Sequence, residues 1–514
     1  MGIFKAKGVV YKPVDDVDLG PHSDEFYLRA NVKGLKEQEV KLVEDDLSPS
    51  DKIQKAMECI QCSESIQENS ELSFHRWTVL DYSRAYISGE ITPLMVAERF
   101  IAAVHESSEP ALHMSFFIDY NVGDILRQAT ESTQRYKQGE PLSPLDGVPI
   151  AIKDEIDCMP YPTTGGTKWL QKVRHCADDA CCVKRLRLCG AILVGKTNMH
   201  ELGAGTSGIN PHYGVPRNPY DPNKVSGGSS SGSAAVVSAG LCPVALGVDG
   251  GGSVRMPAAL CGVVGLKPTF GRVPHSGYDL IYVSLYFPIL PGYFMMLDST
   301  LGQNLEWFND CTDDIRVCCS HALDQLHKHY GWETMDVTIP EIEVMRLAHY
   351  STIGSECSNS IACHLENMNV AEIGLDARVA LSVYGSFSSR EYLNAQKIRN
   401  RQMQFHKKIF AMADVIVTPT TGVTAYPIFD DALKTGELDY INGAALVRYQ
   451  ISGNFLGLPA VTIPIGYDKV GLPIGLQFIG KPWSEATLIH IAFAMQAISD
   501  SKKPQIFYDL LKKD

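Results

Sequence analysis

Positive charge is in short supply along this chain. Lys and Arg number 46 against 59 Asp and Glu, giving a net charge of -13 and a pI near 5.6. No basic face for nucleic acid is implied by that balance. No apolar core follows the first methionine, so MGIFKAKGVVYKPVDD does not read as a secretory signal. The 14 cysteines lack the even spacing of a disulfide framework, which points to a reducing compartment and buried free thiols. Cys59 and Cys62 form a CxxC with no second pair at zinc-site spacing. Cys176, Cys181, Cys182 and Cys189 straddle an amphipathic run; both groups read as packing, and no metal is expected. Long apolar runs are scarce as well. Leu280–Leu297 is uncharged, but Pro288, Pro291 and Gly292 interrupt it, and each proline removes a helix hydrogen bond. That stretch reads as an exposed, sticky loop rather than a membrane span.

What is present is ordinary for a globular enzyme: 45% hydrophobic and 20% charged residues. Residues 1–75 read as an irregular, partly helical and acidic extension, with helical spacing in KIQKAMECIQCSESI. Residues 76–514 read as one catalytic domain of α/β rhythm. GVPIAIK (147–153) and AILVGK (191–196) read as buried strands joined by the helix ACCVKRLRL, a βαβ crossover that implies a parallel pair. VALGV (244–248) and ADVIVTPT (413–420) read as further buried strands. PAVTIPIGYDKVGLPIGLQFIG reads as a hairpin turned at Asp468–Gly471, and ATLIHIAFAMQAI as a closing helix.

Two Gly/Ser stretches are each pinned to such an element. GGSSSGSAAVVSAG offers serines suited to cap a helix. VALGVDGGGSVRMPAALCG leaves a strand, turns on glycines and enters a helix with Pro257 in its first turn. Consecutive glycine N–H groups at a strand end make a concave donor nest, which holds a phosphate or an oxyanion. Neither GxxxxGK[ST] nor GxGxxG is present at these glycines, so the oxyanion reading fits better. Ser253 then ends the nest as the candidate nucleophile. No G-x-S-x-G elbow surrounds it, and no histidine motif stands out as its base. Lys153, ending the apolar strand VPIAI, is the alternative base, held neutral by burial. Asp249 and Arg255 read as braces of the glycine turn.

DGVPIAIKDEID, GGSSSGSAA and DGGGSVRMPAALCGVVGLKPTFGRVP resemble the amidase signature family in content, order and spacing, from about Trp77 to the C-terminus. Within it, SFHRWTVLDYSRAY, IDCMPYPTTGGTKWL, MHELGAGTSG, WFNDC, DVIVTPTTGVTA and KKPQIFYDLL resemble the plant fatty acid amide hydrolases. The resemblance implies the amidase signature fold, a large twisted mixed β-sheet flanked by helices on both faces. It implies a triad of Lys153, Ser229 (with a cis peptide bond) and the nucleophile Ser253. The oxyanion would be held at Gly250, Gly251, Gly252 and Ser253, beside Ser229. The implied reaction is hydrolysis of N-acylethanolamine-type fatty acid amides, with no metal or organic cofactor and no nucleic-acid partner. A homodimer and peripheral contact with the endoplasmic reticulum or plasma membrane are implied too.

Three departures qualify this. Val248 stands where the family has threonine. The apolar N-terminal helical segment of the plant relatives is not found, which points to a cytosolic protein. After GRVP, about residues 278–300 are atypical and several tens of family core residues are missing. The alternatives are an amidase of the same fold acting on small amides, or a catalytically impaired product in which these side chains survive on an incomplete scaffold.

Overall fold

Runs of β-branched and aliphatic residues bounded by glycine and proline set the strands. The computed structural model describes residues 47–48, 50–52, 74, 76–274, 283–287, 300–303, 310–365, 370–437 and 439–512. All of these fall in one compact unit, 41–514. Along them the strands are β1 (Phe117–Asp119), β2 (Pro149–Lys153), β3 (Ile192–Thr197), β4 (Arg217–Asn218), β5 (Asp221–Val225), β6 (Val244–Val248) and β7 (Val264–Lys267). They continue with β8 (Val283–Phe287), β9 (Thr300–Gln303), β10 (Glu333–Asp336), β11 (Val415–Pro419), β12 (Ala460–Tyr467) and β13 (Pro473–Gly480). Eleven of them make one mixed sheet in the order β1-β3-β2-β6-β8-β7-β12-β13-β11-β9-β10, while β4 and β5 pair separately.

The βαβ unit forms as the sequence implies: β2 and β3 pair in parallel across the helix Cys181–Leu188. β6 lies parallel to β2 on its other side. β12 and β13 form the antiparallel hairpin, closed by Asp468 accepting the Val470 and Leu472 N–H groups. Side chains on these strands alternate between two cores. Val415, Val417, Val461, Ile463, Leu476 and Phe478 pack with the helices Asp313–Tyr330 and Glu485–Ile498. Ile416, Ala460 and Ile479 point the other way, toward the helices Ile342–Leu365 and Ser389–Ile409. Helices thus cover both faces, and each large apolar side chain removed from water contributes about 1.5–3 kcal/mol.

One expectation is corrected here. Part of the stretch read as an exposed apolar loop, Val283–Phe287, is an interior strand, antiparallel to β6 on one side and to β7 on the other. The physical reason is that β6 and β7 run in the same direction and are joined only through a strand between them. An uncharged β-prone run fills that place. Residues 278–282 and 288–299 lie outside the described residues, as do KIQKAMECIQCSESI beyond Lys52 and nearly all of the 1–75 extension.

Candidate active site

The carboxyl ends of parallel strands form the natural crevice of an open α/β sheet, and the candidate residues collect there. Lys153 is the last residue of β2 and is fully buried. Its Nζ donates to Ser229 Oγ at 2.7 Å and reaches the Val248 carbonyl at the end of β6 at 3.5 Å. Burial lowers the Lys153 ammonium below its ordinary range, against the opposing charges of Glu155 and Asp249.

Ser229 precedes the helix Ser231–Ser238, and the Gly228–Ser229 peptide bond is cis. Ser230 sits at the N-cap position, but its hydroxyl does not cap the helix. It bridges instead to β6, donating to the Val248 carbonyl at 3.1 Å and accepting from the Val248 N–H at 3.2 Å. The helix lies so close to the sheet that a Cβ on Gly232 would stand 2.5 Å from the Phe116 carbonyl and 2.7 Å from that of Asn198. Glycine is therefore required at that position.

Ser253 ends the glycine turn after β6. Its carbonyl accepts the Ser230 N–H at 3.2 Å, which ties the two Gly/Ser stretches together. Asp249 and Arg255 brace the turn as the sequence suggests. Arg255 Nε and Nη2 each meet an Asp249 carboxylate oxygen at 3.0 Å, and neither side chain is exposed. Burial alone would raise the Asp249 carboxyl, but the Arg255 guanidinium and the Asn454 amide hold it well below the usual carboxylate range. Arg255 also donates to Gln477 Oε1 at 2.6 Å, and Asn454 Nδ2 donates to both the Asp249 carbonyl and its Oδ1 at 2.8 Å. Such complete pairing offsets the desolvation of two buried charges.

The geometry corrects one expectation at the nest. Gly252 N–H donates to Asp249 Oδ1 at 2.7 Å, so it is committed to the brace rather than to an oxyanion. Gly252 itself is needed for φ +104°, with a Cβ there 2.3 Å from Gln450. Gly250, Gly251 and Ser253 remain as the candidate donors. Two polar neighbours carried no signal in the sequence reading. Glu155 is buried in contact with Lys153 Nζ. His349, from the helix Ile342–Leu365, hydrogen-bonds the Gly250 main chain, and burial together with Arg255 draws its pKa down to about 4. Its distance in sequence hid it; Glu155 stood in the quoted KDE triplet but without a visible partner. Among the described residues no group of His, Cys, Asp or Glu is arranged to hold a metal ion.

Family and relatives define the class, an amide hydrolase of mixed α/β architecture. The chain belongs to the amidase signature family: the family profile described as Amidase matches residues 101–289 and 306–489. It is 42% identical to a fatty acid amide hydrolase of Arabidopsis thaliana over 92% of this chain and 86% of that one. A glutamyl-tRNA(Gln) amidotransferase polypeptide of Chloroflexus aurantiacus is 30% identical over 84% of this chain and 99% of its own. In three dimensions a crystal structure of an amidase superposes with a TM-score of 0.73 at 25% identity, covering 82% of this chain and 100% of that one. The peptide amidase of Stenotrophomonas maltophilia shares the fold, at a TM-score of 0.72 and 24% identity over 84% of this chain and 98% of its own.

Proposed function

We propose that this amidase hydrolyses fatty acid amides of the N-acylethanolamine type to free fatty acid and amine. The observation that carries the chemistry is the 2.7 Å hydrogen bond between a fully buried lysine and Ser229. A lysine stripped of water reaches its neutral, basic form more readily than one in solution. The substrate class rests on the 42% identity to proteins named fatty acid amide hydrolase in Arabidopsis thaliana and rice.

In this mechanism Ser253 Oγ adds to the amide carbonyl carbon. Its proton passes to Ser229, whose own proton passes to neutral Lys153. The carbonyl π electrons move onto oxygen, where N–H groups of Gly250, Gly251 and Ser253 receive the charge. Collapse of the adduct breaks the C–N bond, and the proton held on Lys153 returns through Ser229 to the departing amine. Water then adds to the acyl-enzyme, releasing the fatty acid and restoring Ser253.

A series of N-acylethanolamines of increasing chain length tests the substrate. Each methylene taken out of water is worth about 0.8 kcal/mol, roughly fourfold in kcat/KM while the chain still finds apolar wall. The expected result is a kcat/KM that climbs steeply from acetyl to long acyl chains. Equal or faster turnover of short amides would assign the enzyme to small substrates instead.

A further inference from the structure

Three acidic residues follow Lys153 in the run KDEID, and each has its own cation. Asp154 pairs with Lys196 at 3.1 Å, and Asp157 with Arg174 at 2.7 Å. Glu155 pairs with Lys153 itself. Its Oε1 has no other polar partner among the described residues, and the side chain is buried. Glu155 Oε2 lies 3.3 Å from where a Cβ on Gly203 would stand, and Ser229 Oγ is 3.6 Å from the same point. The carboxylate and the serine hydroxyl that contact Lys153 Nζ thus both border Gly203.

We propose that Glu155 is a positioning residue of this site, holding Lys153 Nζ against Ser229 and balancing the ammonium that forms when Lys153 takes the proton. This rests on the proposed role of Lys153 as base. A buried lysine without a counter-charge would accept a proton only at the cost of creating an isolated ion away from water. A fixed carboxylate in contact removes that obstacle, in the way the aspartate of a serine–histidine–aspartate triad supports its imidazolium. No bond is made or broken at Glu155: the proton moves from Ser229 Oγ to Lys153 Nζ and back.

The groups facing Lys153 are few. Glu155 comes from the exit of β2, Asp249 from the end of β6 with Arg255 paired to it, and Ser229 from the segment before the helix Ser231–Ser238. The helix Ile342–Leu365 brings Cys357 near Glu155; burial, then Glu155, pushes that thiol up to about 11, so it carries no charge at neutral pH. Glu155 is thus the one carboxylate in contact with the lysine among the described residues, since Asp249 is neutralised by Arg255.

The test is the pH dependence of fluorophosphonate acylation and of amide hydrolysis for the full chain, its Glu155→Gln and Glu155→Asp variants, and Lys153→Ala. The parent should show an acidic limb, with activity rising as Lys153 loses its proton. Glu155→Gln removes the charge that favours the ammonium, so its limb should move to lower pH by about one unit or more. Its plateau rate should fall roughly 100-fold, because the lysine is then a weaker base. Glu155→Asp keeps the charge but draws it back by one methylene, and its limb should move the same way by less. A uniform loss of rate in Glu155→Gln with an unmoved limb would overturn the proposal. Were Glu155→Gln to lose its native circular dichroism, an unmoved limb in Glu155→Asp would overturn it equally. Failure of the underlying reading looks different: Lys153→Ala would then keep both its activity and the limb.

Discussion

Lys153 and Ser229 form one hydrogen-bonded unit, and Ser230 and Ser253 join it through the main chain. In the proposed relay these groups act together, so their losses do not add. Lys153→Ala and Ser229→Ala should each lower kcat by about 10²–10⁴-fold, the range of general base catalysis. The double variant should be hardly slower than the worse single one. Steady-state kinetics of all four proteins closes this cycle, and losses that multiply would show two independent functions in place of a relay. A second buried lysine, Lys267, is a useful contrast. Burial draws it down to about 7, but its Nζ donates to the carbonyls of Leu458 and Pro268 at 2.8 and 3.1 Å. In the proposed mechanism a depressed lysine serves as base where a hydroxyl lies within reach, and that geometry separates the two.

Among the elements, β8 bears the greatest weight. It joins β6, which leads into the glycine turn, to β7, which follows the helix Arg255–Leu260. Leu285 pairs with Leu246 on one side and Leu266 on the other. Proline at that position removes an N–H from an interior ladder and adds a ring where backbones lie side by side. Leu285→Pro should therefore lower the melting temperature and soluble yield sharply. A variant as soluble and stable as the parent would contradict the interior placement of this strand. The same element shows where sequence reading ends. VALGV, AILVGK and the β12–β13 hairpin were legible because their patterns are local. β8 was not, since its place in the sheet depends on two strands that run the same way and need a third between them. At the site, motif order singled out Lys153, Ser229 and Ser253 as candidates, and the fold brings Lys153 Nζ to 2.7 Å from Ser229 Oγ. The Gly252 N–H and Ser230 hydroxyl were not legible, because Asp249 and Val248 claim them only once the chain has folded.

For the whole molecule, acid is the informative stress. His349 and His406 are buried, and burial pulls each down to about 4. In the unfolded chain a histidine titrates near 6.5. Between about pH 6.5 and 4 the unfolded state binds protons that the native state excludes, so stability must fall as pH falls through that window. Each histidine contributes up to about 3 kcal/mol to the change. Asp249, held low by Arg255, adds a further loss in the same direction at still lower pH. Melting temperatures recorded from pH 7.5 to 4.5 should decline steadily below about 6.5. A flat profile across that window would mean that these imidazoles are solvated and that the packing around them is loose.

The central claim is that Ser253 is the nucleophile of an assembled site, and covalent labelling reads it most directly. The purified 514-residue protein would be treated with a fluorophosphonate, weighed intact, digested and sequenced by mass spectrometry. The account predicts one adduct per chain, on Ser253, absent from Ser253→Ala and greatly slowed in Ser229→Ala and Lys153→Ala. An adduct on another serine, or labelling of Ser253→Ala at the parent's rate, would contradict it.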